Sequence, residues 1–174
     1  MIDLALLRSC VLCPKLVASR TQVVPAKVAM HARIMIVAQA PGRNEDAQGI
    51  PLIGKSGLQL EALLKLHAGV NPDEVYMTNV VKCYPSNDRK PSAKEQKTCG
   101  ELWLIQELQS VQPAIVVTLG DVALQSVAGG EKLSQTHGTP FVTATGLVVF
   151  PTYHPSATNY NANLKPVLIE DFKK

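Results

Sequence analysis

Four short apolar runs set the strongest limit on how this chain can fold: RIMIVA (33–38), EVYMTNVV (74–81), AIVVTLG (114–120) and LVVFPTYHP (147–155). Each contains a stretch of strand length rich in Val, Ile or other apolar residues, and the first is apolar almost throughout, as in a strand buried on both faces. The stretches between them have helical periodicity. SGLQLEALLKLHAG (56–69) offers Leu58, Leu60, Leu63, Leu64 and Leu66 to a buried side, with Ser56 as cap and Gly69 as stop. SAKE (92–95) has capping-box spacing and opens a helix expected to run to about Val111. DLALLRSC predicts a short helix capped by Asp3, and DVALQSVAGG another capped by Asp121. NLKPVLIEDFKK closes the chain as a helix whose start Pro166 limits, and Pro151 is expected to cut the fourth strand. Strands alternating with helices predict an α/β fold, a three-layer α/β/α sandwich around a mostly parallel four-stranded sheet. There is no internal repeat, low-complexity tract or second-domain linker, so residues 1–174 are expected to form one domain, long enough to bury a good core.

That architecture predicts where chemistry belongs. In open α/β sheets the ligand crevice lies at the carboxyl ends of the strands. The segments leaving those ends are AQAPGRNED, TNVVKCYPSNDRK, LGD and PTYHPSATN, which hold most of the chemically interesting side chains. No apolar run approaches the ~20 residues of a membrane helix. The start, MIDLALLRSC, is too short and too acidic for a secretion signal. A soluble cytoplasmic protein without a membrane partner is expected. The formal net charge of +3 permits a nucleic-acid partner without demanding one.

Cys10 and Cys13 form C-x2-C followed by Pro14, and Cys83 and Cys99 complete a set of four cysteines. Unrelated buried thiols are the plainer reading, but the spacing favours metal ligation. Structural disulfides are disfavoured in a reducing cytosol. Four thiolates suit tetrahedral zinc or an iron–sulfur cluster, and spacing alone does not choose between them. Either would staple segment 83–99, which is short of apolar residues, to the N-terminus.

The loop AQAPGRNEDAQG (38–49) has neither phosphate-binding glycine motif, and Glu45 and Asp46 would repel a phosphate. It suits a backbone cradle for a flat polar ring: Gly42 lets the main chain come close, and Gln39 both donates and accepts at an amide-like edge. Asn79 can read a base edge in the same way, or serve as a strand-end turn residue. His154 has the near-neutral pKa of a proton shuttle or an anion stabiliser. Lys82, Arg89, Lys90, Lys94 and Lys97 form a basic segment that is either solvated surface or a phosphate-tracking rim.

Taken together, CVLC, AQAPGRNEDAQGIPLIGKSG, YMTNVVKCYPSNDRKPSAKEQKTC, LGDVAL and PTYHPS resemble the uracil-DNA glycosylase superfamily, most nearly its iron–sulfur, thermostable-type family 4. The resemblance runs in order from about Cys10 to the C-terminus. It implies a compact α/β/α fold and one [4Fe-4S] cluster on Cys10, Cys13, Cys83 and Cys99, with zinc as the alternative. It implies a monomeric, monofunctional DNA glycosylase of base excision repair. Such an enzyme hydrolyses the N-glycosidic bond of uracil swung out of single- or double-stranded DNA and leaves an abasic site. By the same resemblance Asn79 reads the uracil edge and His154 stabilises charge on uracil O2. Gln39, Ala40, Gly42 and Leu52 line the ring. HPSATN, with Ser156, enters the duplex from the minor groove, and Lys82, Arg89 and Lys90 contact DNA.

Two departures bear on catalysis. Family 4 usually reads G-E-x-P-G where this chain has Ala38 and Gln39, and Pro-Phe-Val-Gly where it has PLIG with Leu52. A carboxamide cannot act as a general base, and Leu52 forgoes ring stacking worth about 1 kcal/mol. The catalytic candidates are then His154, Gln39 and Glu45, the last of them able to position a water. The departures also admit a weakened member that binds DNA or uracil without efficient turnover, or a glycosylase with another base preference. The segment CYPSNDRKPSAKEQKTC holds no His, so the covalent attachment to DNA of a related member is not expected.

Overall fold

The computed structural model describes residues 2–29 and 31–174. Its sheet contains five strands, β1 (Ile34–Ala38), β2 (Val75–Asn79), β3 (Ile115–Leu119), β4 (Phe141–Val142) and β5 (Val148–Thr152), in the order β2-β1-β3-β5-β4. Four run parallel, as the sequence predicts. The fifth, β4, is a two-residue antiparallel edge with Phe141 opposite Val149 and Val142 opposite Val148. It is too short to leave an alternating signature in the sequence.

The helices are α1 (Leu4–Arg8), α2 (Pro14–Val17), α3 (Arg43–Gln48), α4 (Lys55–Leu63), α5 (Ala93–Cys99), α6 (Ile105–Val111), α7 (Asp121–Val127), α8 (Leu133–Thr136) and α9 (Leu164–Phe172). Wide turns at Leu64–Ala68 and Gly100–Leu104 prolong α4 and join α5 to α6, so the helix opened by SAKE does reach Val111. Alternation along the strands sends side chains into two cores. Met35, Val37 and Tyr76 pack with Leu7, Leu16, Trp103, Leu104 and Ala123 on one face. Ile36, Ala38, Val75 and Met77 pack with Leu60, Leu64, Leu168 and Phe172 on the other. Helices thus cover both faces, which is the three-layer arrangement. None of the described helices is long and apolar enough to cross a membrane.

Most local signals are obeyed. Asp3 caps α1 by accepting from the Ala5 and Leu6 amides at 2.9 and 3.1 Å. Ser92 and Glu95 form the full capping box of α5, and Gly69 ends the α4 extension in the left-handed region at φ 64°. Four expectations are corrected. Gly54 and Gly120, not Ser56 and Asp121, occupy the cap positions of α4 and α7. Leu58 and Leu66 of the α4 segment face solvent, since the buried stripe runs through Leu60 and Leu64. Pro151 does not interrupt β5. The β4 ladder ends at Val149, and beyond it the Pro151 carbonyl accepts from the Gly138 amide at 2.8 Å. The missing N–H of Pro151 points to that same open side, so no ladder bond is lost.

The register aligns the strand ends. Ala38 is level with Asn79, and Leu119 with Thr152. The chain leaves all four parallel strands along one edge, and β1 lies between β2 and β3, so successive connections diverge there. One tight contact shapes this edge. Leu52 holds φ 55°, a left-handed conformation that costs a branched residue about 1–3 kcal/mol. A Cβ on Gly57 would lie 1.8 Å from the Leu52 carbonyl oxygen. Gly57→Ala is therefore expected to cost about 3 kcal/mol through overpacking; a denaturant melt superimposable on the parent's would show that α4 can shift freely.

Candidate functional site

At the carboxyl edge of the sheet lies a crevice of ≈ 530 Å³. Gln39, Ala40, Gly42 and Glu45 line it from the β1 exit, Leu52 from the next turn, Asn79 from β2, Gly120 from β3, and His154 with Ser156 from β5. Every residue expected to bind the base therefore borders one continuous space.

Asn79 forms the most unusual part of it. The residue is 1 % exposed, yet neither its amide nitrogen nor its amide oxygen has a hydrogen-bond partner. Its backbone is held firmly: the Lys82 ammonium donates to the Asn79 carbonyl at 2.8 Å. The expectation that Lys82 reaches DNA is corrected by this arrangement. Lys82 is turned inward, 1 % exposed, and its Nζ lies 2.6 Å from both the Glu107 carboxylate and the Thr78 hydroxyl. All three ammonium donors are satisfied, so a buried charge is tolerated.

His154 accepts the Ser156 backbone N–H on Nδ1 at 3.2 Å, with the Ser156 hydroxyl 2.7 Å from the same nitrogen. A backbone N–H can only donate, so the ring proton sits on Nε2. Burial lowers the imidazole pKa to about 4, against the opposing pull of the Glu45 carboxylate. The ring is neutral at neutral pH and carries an Nε2–H donor with no protein partner among the described residues.

Glu45, in the first turn of α3, is buried. Its Oε1 accepts the Ile53 and Gly54 amides at 3.1 and 2.7 Å, which leaves Oε2 free of amide partners. Gly42 permits this placement, since a Cβ there would come within 2.7 Å of Oε2. Its neighbour Asp46 is spent elsewhere, accepting the Thr21 amide at 2.8 Å to tie the N-terminal segment to α3. The Gln39 carboxamide makes no hydrogen bond within the described chain, while its backbone oxygen accepts the Val81 amide at 3.2 Å.

Arg89 is half-buried and grips the Glu95 carboxylate with two bonds of 2.8 Å. That contact, with the Ser92 cap, holds the carboxyl down at about 2. Lys90 is exposed on the same loop. Arg43, Lys55 and Tyr160, which the sequence does not single out, also line the crevice. Arg43 follows the Pro-Gly pair directly, and Tyr160 is a lone aromatic four residues after Ser156. Tyr160 is 92 % exposed.

Cys10, Cys13, Cys83 and Cys99 all face one small cavity of ≈ 20 Å³ walled by Leu7, Leu16 and Trp103. The C-x2-C turn joins α1 to α2, Cys83 follows β2, and Cys99 ends α5. Arg20 clamps the group, donating to the Cys83 sulfur at 3.0 Å and to the Cys10 carbonyl at 2.8 Å. Burial pushes the Cys13 and Cys83 thiols up and that of Cys99 to about 12. They would become thiolates only on binding a compensating cation. Among the described residues no three His, Cys, Asp or Glu side chains converge on a point suited to a single ion. Four thiols around one cavity form a donor set that fits a sulfur-ligated metal centre.

Comparison with known proteins agrees with this geometry. Residues 25–173 match the family model of the uracil DNA glycosylase superfamily. A type-4 uracil-DNA glycosylase of Sulfurisphaera tokodaii is 40 % identical over 95 % of this chain and 78 % of its own length. A second, of Thermotoga maritima, is 37 % identical over 96 % of this chain and 88 % of its own. A type-5 uracil-DNA glycosylase of Pyrobaculum aerophilum is 33 % identical over 88 % of this chain and 80 % of its own. The family match takes in every strand of the sheet and every loop of the crevice, and the chain belongs to the uracil DNA glycosylase superfamily.

Proposed function

We propose that this protein is a uracil-DNA glycosylase that hydrolyses the bond between N1 of an extruded uracil and C1′ of its deoxyribose. Asn79 is the observation that carries the proposal. Leaving a buried polar group unsatisfied costs about 1–3 kcal/mol, so an amide with both ends idle in a crevice is poised for a ligand. Its oxygen and nitrogen complement the N3–H and O4 of uracil. The neutral His154 supplies its Nε2–H to O2, where negative charge grows as the C1′–N1 bond breaks. A fixed donor of this kind is worth about 10²–10³ in rate. Glu45, with Oε2 free, holds the water whose oxygen bonds to C1′. The water's proton passes to that carboxylate, and uracil leaves as an anion that solvent protonates. Gln39 contacts the ring or the water as a polar neighbour, not as a base.

We propose a [4Fe-4S] cluster on the four cysteines. Four sulfurs around one cavity support a sulfur-ligated centre, and a cluster is what the resemblance to family 4 implies. The group would cross-link α1, α2, the exit of β2 and α5, holding Asn79's neighbourhood in place. The partner is DNA, and with it a cytoplasmic location.

One observation favours a wider base range as a second reading. Hypoxanthine and xanthine offer the partnerless Asn79 amide the same adjacent N–H and C=O pair that uracil does. The test is incubation with labelled DNA carrying uracil, hypoxanthine or xanthine, followed by alkali. Strand cleavage at uracil supports the proposal; none at enzyme in excess over DNA overturns it. Iron analysis and visible absorbance decide the cofactor.

Tyr160, nearly bare at the crevice mouth, suits stacking on bases left behind in the duplex. Tyr160→Ala is expected to slow cleavage of double-stranded substrate about tenfold more than single-stranded, matching ~1–3 kcal/mol per stacked base. Equal losses on the two substrates would remove that role.

A further inference from the structure

A second hollow, of ≈ 470 Å³, opens beside the crevice between α2 and the 84–89 loop. Lys15, Arg43 and Arg89 line it with Ser86 and Asn87, and no carboxylate does. Glu95 neutralises Arg89 from behind. Lys15 and Arg43 are exposed and form no ion pair among the described residues. Tyr84 also lines the hollow, and its hydroxyl is buried without a partner. Arg43 belongs to both spaces, so positive charge continues from the mouth of the crevice into the hollow. Asn87 and Asp88, both at φ 54°, turn the loop so that Asn87 lines the hollow while Asp88 lines the crevice instead. Two successive non-glycine residues in that region are costly and are held only where the surroundings demand it.

We propose that this hollow binds a phosphodiester of the DNA strand that carries the extruded nucleotide. The inference rests on the glycosylase reading. When the base occupies the crevice, its backbone must leave past Arg43. The next phosphates along the strand then meet cations not already spent on protein carboxylates. A concave site with hydrogen-bonding side chains and unpaired cations favours a compact anion over a flat surface contact. Lys15 lies two residues beyond Cys13, so the same segment that carries two thiols also carries one wall of the anion site.

The experiment measures binding of full-length protein to uracil-containing and uracil-free duplexes across a salt series. The variants are Lys15→Gln, Arg43→Gln, their combination, and Lys132→Gln as an exposed cation outside both hollows. Each phosphate that the protein no longer neutralises should flatten the slope of log K against log salt by about 0.9. The single variants are each expected to flatten it by about one such step, the combination by about two, and Lys132→Gln not at all. Unchanged slopes, or equal flattening by Lys132→Gln, overturn the phosphate site. Cleavage of the same uracil duplex by the unaltered protein separates the two ideas. If it cleaves and the slopes do not change, only the hollow is misassigned. If it fails to cleave at excess enzyme, the glycosylase reading itself falls.

Discussion

Asn79→Ala should abolish most cleavage of uracil DNA, by about 10³-fold in kcat/KM, while leaving the protein as stable as before or more so. Two hydrogen bonds to a base, each worth about 1.5–3 kcal/mol when fully buried and polarised, account for a loss of that size. The unchanged stability is the discriminating half. Truncating a buried residue ordinarily costs stability, but here the truncated amide has no partner in the free protein. Removing it relieves an unsatisfied donor and acceptor, and that relief offsets the small cavity left behind. A purely structural Asn79 would show the opposite pattern, a lowered melting temperature with proportionate loss of activity. His154→Ala should act mainly on kcat, by about 10²–10³-fold. The pH profile follows from its burial. With the pKa lowered to about 4, the imidazole stays neutral through pH 6.5, and cleavage should not fall until pH approaches about 4. Its effect on stability has a definite sign. Between about pH 6.5 and 4 the unfolded state binds the proton that the folded state refuses, so stability declines as pH falls through that window. An activity profile that breaks near pH 6.5 would mean a solvated ring and a different role.

Much of this is legible in the sequence because parallel strands buried on both faces have an unmistakable composition. RIMIVA and AIVVTLG could hardly be anything else, and once they are strands the architecture fixes which loops meet. That is why Gln39, Asn79 and His154, far apart along the chain, fall in one crevice. Side-chain direction is less legible. Lys82 reads as surface because lysine usually is, and its partner Glu107 lies on a helix 25 residues away in sequence. The only local hint is its setting between Val81 and Cys83, both buried. Leu58 and Leu66 mislead for the opposite reason, since a leucine-rich helix has more apolar residues than its one buried stripe can accept. Pro151 is compatible with a strand only because β4 stops short of it, a fact no local window contains. The base-reading role of Asn79 is visible as chemistry, but its lack of any partner emerges only from the packed structure.

Lys82→Met is expected to destabilise the protein by about 3–5 kcal/mol, because it strands the Glu107 carboxylate in a site 1 % exposed to solvent. Adding Glu107→Leu should recover most of that loss, since an apolar pair of similar volume replaces an ion pair that had to be desolvated, but leave the protein about 1–3 kcal/mol short of the parent, because the buried Thr78 hydroxyl loses both its partners. Urea melts of the parent, both single variants and the double variant give the coupling directly. Activity should not return with stability. Lys82 donates to the Asn79 carbonyl and to Thr78, and no apolar side chain can replace those bonds. The refolded double variant should therefore keep its fold, yet cleave uracil DNA at least about tenfold more slowly, because about one hydrogen bond's worth of positioning is gone. Lys82→Arg, which keeps the charge but not the compact geometry, should fall between them. Were the double variant as active as the parent, the buried pair would be serving the sheet alone, and Asn79 would owe its position to the strand ladder rather than to the ammonium beneath it.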